Sequence, residues 1–421
     1  MFVEHLSLTD FRSYVRADVP MSPGVNTFVG SNGQGKTNLV EAVEYLSSLS
    51  SHRVNQDAPL IRLGADQAVV RARVRAGTGD DRSLLLELEI NAHRANRGRI
   101  NRAPLPRTRD LLGVLRTVVF SPNDLAIVRG DPADRRAFLD GLVITRWPRM
   151  AGVKADYERV LRQRNALLKS LAGRGASAGA EIGATLEIWD DQLATIGAEL
   201  LSARLDTLTA VMPLASRAYR EIAPVNDIAV ADYRASIDLS DLWEPTRPDV
   251  DQGDATRPGV DRSALHERFL DALAERRRDE LVRGVTLVGP HRDDIVLTIG
   301  EMPAKGYASH GESWSLALAL RLASFQLLRA DGIEPVLVLD DVFSELDSTR
   351  RDRLAASVIE ADQVLVTAAV GTDVPRQLAG RRFHVGGGDV RPAPTIPDTD
   401  PAIPQPTTSI PQPAQDDDSD D

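Results

Sequence analysis

Two short segments far apart in this chain can act only if the fold brings them together, and that requirement limits the architecture more than any other feature. Gly30-Ser31-Asn32-Gly33-Gln34-Gly35-Lys36-Thr37 fits the phosphate-cradling pattern G-x-x-x-x-G-K-[ST]. Its glycines let backbone N–H groups curl around phosphate oxygens, Lys36 neutralises β/γ charge, and Thr37 offers a hydroxyl to Mg²⁺. The acidic strand that should face this loop, Val336-Leu337-Val338-Leu339-Asp340-Asp341, begins 300 residues beyond Lys36. A gap of that size means a large insertion inside a nucleotide fold. The local setting of the loop is the one it needs: Phe2–Leu8 alternates in polarity, Val25–Val29 is a short apolar run, and Asn38–Leu49 has helical spacing.

Carboxylates ending an apolar strand are costly to bury unpaired. Asp340 is therefore assigned to Mg²⁺ and Asp341 to polarising the attacking water. Just before that strand stands Ser309-His310-Gly311-Glu312, followed by the helical run Leu316–Leu328. A helix N-terminus carrying a hydroxyl and a glycine can approach a γ-phosphate closely. Loop first, Ser-x-Gly helix second and acidic strand third is the order of an ABC-type ATPase, in which two subunits sandwich ATP. The predicted nucleotide set is then Gly30 through Thr37 with Ser309 and Gly311. Arg12 either reaches the phosphates from the N-terminal strand or sits on the surface.

The expected fold class is α/β, an ABC-type ATPase head of mixed sheet and helices with an inserted helical-hairpin arm. Residues 1–130 form the first part of the head, with β-rich segments at Ala68–Val74, Ser83–Ile90 and Thr117–Phe120. Residues 131–283 form the arm. Arg135–Val143, Tyr157–Leu171 and Leu186–Met212 have helical spacing, and the Gly/Ala/Ser link 173–180 permits an antiparallel reversal. A Pro-containing stretch, 239–263, reads as a flexible insertion, and His266–Arg283 as a charged helix. Residues 284–388 complete the head, with strands expected at Val285–Val288 and Ile295–Ile299. From 389 to 421, a Pro-rich and acidic composition predicts a disordered tail.

Composition excludes several classes. There is no cysteine, hence no disulfide framework, and no apolar run reaches the ~18 residues of a spanning helix. The expectation is a cytoplasmic protein without membrane partners. The net charge is −11, of which residues 389–421 hold −7 through eight Asp and one Arg. Against that acidity, Arg94, Arg97, Arg99, Arg102, Arg107, Arg109 and Arg116 face one acid, Asp110, giving +6 over 94–116. This stretch, Arg94 to Arg102 above all, is the candidate DNA contact, with a solvated hairpin as the other reading. Arg276-Arg277-Arg278 is flanked by Glu275, Asp279 and Glu280 and reads as a solvated helix face.

Taken together, these residues resemble the RecF family, bacterial recombination-mediator ATPases related to SMC-type heads. The resemblance covers about residues 1–385. It rests on Leu8-Thr9-Asp10-Phe11-Arg12-Ser13-Tyr14, the P-loop, Phe120-Ser121-Pro122-Asn123-Asp124, and Gly130-Asp131-Pro132-Ala133-Asp134-Arg135-Arg136. Further blocks are Gly289-Pro290-His291-Arg292-Asp293-Asp294 and Leu339-Asp340-Asp341-Val342-Phe343-Ser344-Glu345-Leu346-Asp347. The resemblance implies a weak, DNA-stimulated ATPase that dimerises on ATP and clamps single-stranded or gapped/junction duplex DNA. It implies a RecR-like partner, a role in recombinase loading at gaps and in SOS induction, and Ser309 contacting the γ-phosphate held by the other subunit. Three positions depart from the pattern. Glu312 follows Gly311 where the family often has Gln, Asn123 or Asp124 stands where a Gln-bearing loop is expected, and Thr367 stands in place of a switch histidine. The competing functions are a nucleotide-responsive scaffold with incidental hydrolysis and the motor subunit of a transporter.

Overall fold

The computed structural model describes residues 1–77, 79–171, 179–223, 227–245 and 259–393. β1 (Phe2–Phe11) and β2 (Tyr14–Pro20) form an antiparallel pair, β3 (Gly24–Val29) runs up to the Gly-rich loop, and α1 (Lys36–Ser48) leads away from it. β4 (Gln67–Gly77), β5 (Asp80–Asn91), β6 (Arg97–Ile100) and β7 (Ala103–Pro104) join the first pair in an antiparallel lobe sheet of order β2-β1-β4-β5-β6-β7. After β8 (Thr117–Phe120) come α2 (Leu125–Arg129), α3 (Pro132–Arg146), α4 (Met150–Leu171) and α5 (Gly179–Ile222). β9 (Ala229–Arg234), α6 (Arg262–Arg283), β10 (Asp294–Ile299), β11 (Met302–Pro303) and the kinked turn α7 (Ala304–Tyr307) lead to α8 (His310–Ala330). β12 (Val336–Asp340), α9 (Ser348–Val358), β13 (Gln363–Ala368), β14 (Arg381–Gly386) and β15 (Asp389–Pro392) complete the described chain.

The second large sheet has the order β15-β14-β3-β13-β12-β8. From β14 to β8 all its strands are parallel, and β15 closes one edge antiparallel. Because β3 and β12 run the same way on either side of β13, the Gly-rich loop and the Asp340–Asp341 pair emerge at one carboxyl edge, where open parallel sheets hold ligands. The pleat divides β12 between two cores. Val336 and Val338 belong to the core that holds Leu39, Val40 and Val43 of α1 and Leu6 and Leu8 of the lobe, while Leu337 and Leu339 belong to the one that holds Leu316 and Leu320 of α8. All four side chains are fully buried, each stabilising by about 1.5–3 kcal/mol. Helix α1 is thereby held between the two sheets, which fixes the loop at its N-terminus.

The insertion is helical, as its periodicity predicts. Helices α4 and α5 run antiparallel: Arg164 pairs with Asp190, and Tyr157 stands against Gly197. Helix α6 lies along α5, with Arg277 on Asp190 and Phe269 against Gly197. At their junction Arg164 is fully buried and bonds Asp190 Oδ1 (2.7 Å), Glu280 Oε2 (2.6 Å) and Thr286 Oγ1 (2.8 Å).

Several expectations need correction. Helix α5 does not stop at Met212 but runs through Pro213 to Ile222. Ala215, Ala218, Tyr219 and Ile222 continue its buried stripe, and that packing outweighs the hydrogen bond the proline removes. Val285–Val288 is a loop and not a strand. Its polar backbone is satisfied by side chains: Thr286 N donates to Asn165 and Leu287 N to Glu280. β9 carries no signal strong enough to have been predicted. The ends of the 239–263 stretch are anchored, since Leu239 is buried, Trp243 Nε1 donates to Thr209 (3.0 Å), and Asp261 caps α6. Residues 246–258 of it lie outside the described residues, as do 173–178 of the Gly/Ala/Ser link, whose last two residues belong to α5. The sheet also takes in Asp389–Pro392, so the Pro-rich tail cannot begin at 389; residues 394–421 lie outside the described set.

The Gly289–Asp294 block is structural glue between α3, α4, α5 and the small sheet β11-β10-β9. Arg135 forks onto Asp294, Arg204 forks onto Asp140 and also bonds Tyr233, and Asp293 accepts from Tyr233 and Ser236. His291 accepts from the Tyr157 hydroxyl at Nδ1 (2.8 Å) and donates from Nε2 to Thr286 O (3.3 Å), the pattern of a neutral ring. Burial, reinforced by the charges of Arg292 and Arg136, lowers its pKa to about 4. Between pH 6.5 and 4 the unfolded chain therefore binds the extra proton, so this site's stability is full above 6.5 and is lost as pH falls. His291→Asn should flatten that dependence, by roughly 2–3 kcal/mol between pH 7 and 4.5. Denaturation midpoints of both proteins across that range provide the check; parallel curves would refute a neutral buried ring.

Candidate functional site

The Gly-rich loop leaves β3 and enters α1 through Gly35, whose φ of +104° suits only glycine and whose Cβ would stand 2.8 Å from the Tyr14 hydroxyl. Ser31, Asn32 and Gly33 are exposed. Gln34 is tied to the β14–β15 turn by accepting from Gly387 N (3.0 Å). Lys36 folds back over the loop and donates to Gly30 O (2.6 Å) and Ser31 O (3.1 Å). Burial lowers its pKa, opposed by the carboxylates of Asp341 and Asp340. Together with Thr37, Asn38, Arg53 and Asp341, the loop lines a cleft of about 300 Å³.

The acidic strand meets the loop as the spacing requires. Asp340 Oδ1 accepts from Thr37 Oγ1 (3.0 Å) and from Thr367 Oγ1 (2.6 Å), and Thr367 in turn accepts from Asp341 N (2.9 Å). A hydroxyl and a carboxylate side by side fit Mg²⁺, which takes one or two protein oxygens and completes its shell with phosphate and water. Asp341 adopts a left-handed backbone (φ 54°) that turns it into the cleft beside Lys36. Burial and the neighbouring Asp340 charge raise its pKa, partly countered by Lys36.

His52 belongs to the site although nothing in the sequence around it says so. Its Nδ1 is 2.5 Å from Glu44 Oε2 and its Nε2 3.8 Å from Asp340 Oδ2. Burial alone would lower its pKa; Glu44 and the nearby acids outweigh burial and raise it. The His52 carbonyl accepts from Asn123 Nδ2 (3.2 Å). Of the two candidates for the missing glutamine, Asn123 is thus the one beside the site. Asp124 is engaged with Arg321 (2.6 Å) and with Ser121 N.

Arg12 is pinned to the buried carboxylate of Glu41 (2.9 Å from Nε) and to Pro59 O. Arg53 shares Glu41 (3.0 Å), bonds Asn38 (2.8 Å) and lines the cleft. Ser309 and Gly311 are not part of the cleft wall. They form the start of α8, with Ser309 exposed and Gly311 half-buried; Ser309 N donates to Glu312 Oε2 (2.7 Å) and Glu312 N donates to Ser309 Oγ (3.2 Å). This reciprocal cap explains the acid at 312: its charge is spent on the helix end.

The arginine stretch does not stay free. Arg99 pairs with Glu89 (2.8 Å), and Arg94 bonds Asn91 and Gln67. Arg97 and Arg102 are exposed and have no acidic partner among the described residues.

Residues 2–374 match the family described as RecF/RecN/SMC N terminal domain. The chain is 78% identical over 390 residues to the DNA replication and repair protein RecF of Cutibacterium acnes, covering 93% of this chain and 98% of that one. To the RecF of Streptomyces avermitilis it is 56% identical over 392 residues, covering 93% and 99%. Among solved structures, the recombination mediator protein RecF with ATP, from the RecFOR pathway, superposes with a TM-score of 0.81 at 27% identity, covering 93% and 97%. An Smc head bound to the C-winged helix domain of ScpA shares the fold at TM-score 0.51 and 15% identity, covering 93% and 97%.

Proposed function

The chain belongs to the RecF family of DNA replication and repair proteins, and on that premise we propose that ATP draws two copies of it into a DNA clamp. The observation that carries this reading is the division of the site. Lys36, Thr37 and Asp341 line one cleft with Asp340 buried behind Thr37, while Ser309 stands exposed and Gly311 half-buried outside its wall. ATP in the cleft is then held from one side, and a second copy supplies the Ser309 turn from the other. Lys36 and the loop N–H groups hold the phosphates, and Thr37 and Asp340 hold Mg²⁺, which neutralises charge on the β- and γ-phosphates. Asp341 orients the attacking water. Slow, DNA-stimulated hydrolysis reopens the clamp.

The wider role follows the family: recombinase loading at gapped DNA with a RecR-like mediator, and support of SOS induction, in the cytoplasm. A transporter motor is disfavoured by the match to DNA replication and repair proteins over 93% of the chain. Sedimentation with and without ATP tests the split site. Wild type should pass from monomer to dimer, whereas Ser309→Arg should bind nucleotide and remain monomeric. Normal association of that variant would end the clamp reading and leave the scaffold.

DNA contact is assigned to Arg94, Arg97, Arg99 and Arg102, with Arg97 and Arg102 contributing most because they are exposed and form no ion pair among the described residues. Changing Arg97, Arg99 and Arg102 to Ala should weaken binding alike for all sequences and reduce the slope of log K against log salt by about 1–2. An unchanged slope in a salt titration would move the DNA site elsewhere.

A further inference from the structure

We propose that Arg350 is the positioning residue of the Ser309 turn, and that its effect is felt at the nucleotide held by the opposite subunit. The proposal rests on the split-site reading above.

Arg350 lies in the first turn of α9, close behind the loop that Asp341 begins. A Cβ built on Gly311 would stand 3.2 Å from its Nη2, 3.3 Å from Nη1 and 3.7 Å from Cζ. The whole guanidinium is therefore laid against the open side of that glycine, and any side chain at 311 would push it away. The root of the arginine is fixed as well. Its backbone N donates to Asp347 Oδ1 (2.9 Å), its Nη1 lies 3.3 Å from Asp347 Oδ2, and the side chain is only 16% exposed. Glu312, the acid nearest to Gly311, is turned back onto Ser309 N and does not compete for the guanidinium.

These contacts join two pieces of machinery that serve different nucleotides. Asp341 faces its own subunit's cleft; from it the chain runs through the turn Val342–Glu345 to Asp347, the cap of α9, and so to Arg350. Ser309 is exposed beyond that contact, where in the split-site reading it meets the nucleotide of the other copy, and Gly311 is half-buried against the guanidinium. Arg350 is the strut between them. It sets where the Ser309 hydroxyl and the first N–H groups of α8 stand. A shift of the Asp341 loop in one subunit is thereby passed to the phosphate contacts of the other.

The test uses full-length variants alone and mixed. Arg350→Ala should bind a fluorescent ATP analogue as wild-type monomer does, yet lose roughly tenfold or more in ATP-driven association. Arg350→Lys should not restore association, because an ammonium cannot reproduce the planar fork. Arg350→Ala is then mixed with Lys36→Ala. A mixed dimer holds one site with an intact P-loop from one copy and an intact Ser309 turn from the other, so turnover should rise roughly fivefold or more above either variant alone. Ser309→Arg mixed with Lys36→Ala is the control for the split site itself. If the control recovers and the Arg350 mixture does not, Arg350 serves its own cleft and the proposal is overturned. If neither recovers, the split-site reading fails and the proposal with it. Wild-type association by Arg350→Ala also overturns it. Should that variant melt early, Arg350→Gln, which keeps a long polar side chain, is held to the same outcomes.

Discussion

Replacing Arg164 with Met is expected to lower stability by about 3–5 kcal/mol, the largest folding defect of any single substitution considered. The guanidinium is fully buried and bonds Asp190, Glu280 and Thr286. With Met in its place Asp190 still has Arg277 at 2.7 Å. Glu280, fully buried, is left with one bond, from Leu287 N, and no ion-pair partner among the described residues. The defect is therefore that of a stranded carboxylate, with the lost packing second. It follows that Arg164→Met combined with Glu280→Gln should be clearly more stable than Arg164→Met alone, because the amide keeps the Leu287 bond and carries no charge. Chemical denaturation of the two single variants and the double variant decides this. A loss below about 1 kcal/mol for Arg164→Met would mean the triad is solvated after all. Since the triad ties α4, α5 and α6 far along the chain from the nucleotide residues, ATP binding should survive at temperatures where the protein is still folded.

That triad also shows where sequence reading stops. The P-loop, the acidic pair and the long helices were legible because their signals are local: a fixed spacing of glycines, or an apolar stripe every three to four residues. Val285–Val288 reads as a strand on the same kind of signal, but its partners are helix side chains, Glu280 seven residues before Leu287 and Asn165 more than a hundred residues before Thr286. Helical spacing reads only over Leu186–Met212 because the packing that carries α5 past Pro213 is tertiary. His52 lies in an irregular loop, and only the order of strands in the sheet brings it near Asp340. The arginine count over 94–116 was correct as arithmetic, yet Glu89 lies on the neighbouring strand and takes Arg99 out of play. Composition counts charges; register decides which of them are free.

Asp341→Asn should carry the largest effect on activity, a loss on the order of 10²–10⁴-fold in turnover with ATP binding retained. The αL turn at the end of β12 lifts the residue from the sheet into the cleft beside Lys36. Burial and the Asp340 charge raise its pKa, as suits a group that must draw on a proton. Asn is nearly isosteric and accepts the αL conformation more readily than most residues, so the melting temperature should stay close to wild type. ATP then closes the dimer and cannot be cleaved, and both the dimer and its bound DNA should persist longer. Lys36→Ala should do the reverse, leaving monomers that engage ATP weakly, because the amine that spans the loop is gone. Single-turnover hydrolysis and dimer lifetime, measured on both variants, separate the two roles. Wild-type cleavage by Asp341→Asn would place the water-orienting carboxylate elsewhere, and Glu345, exposed in the next turn, would be the first to replace.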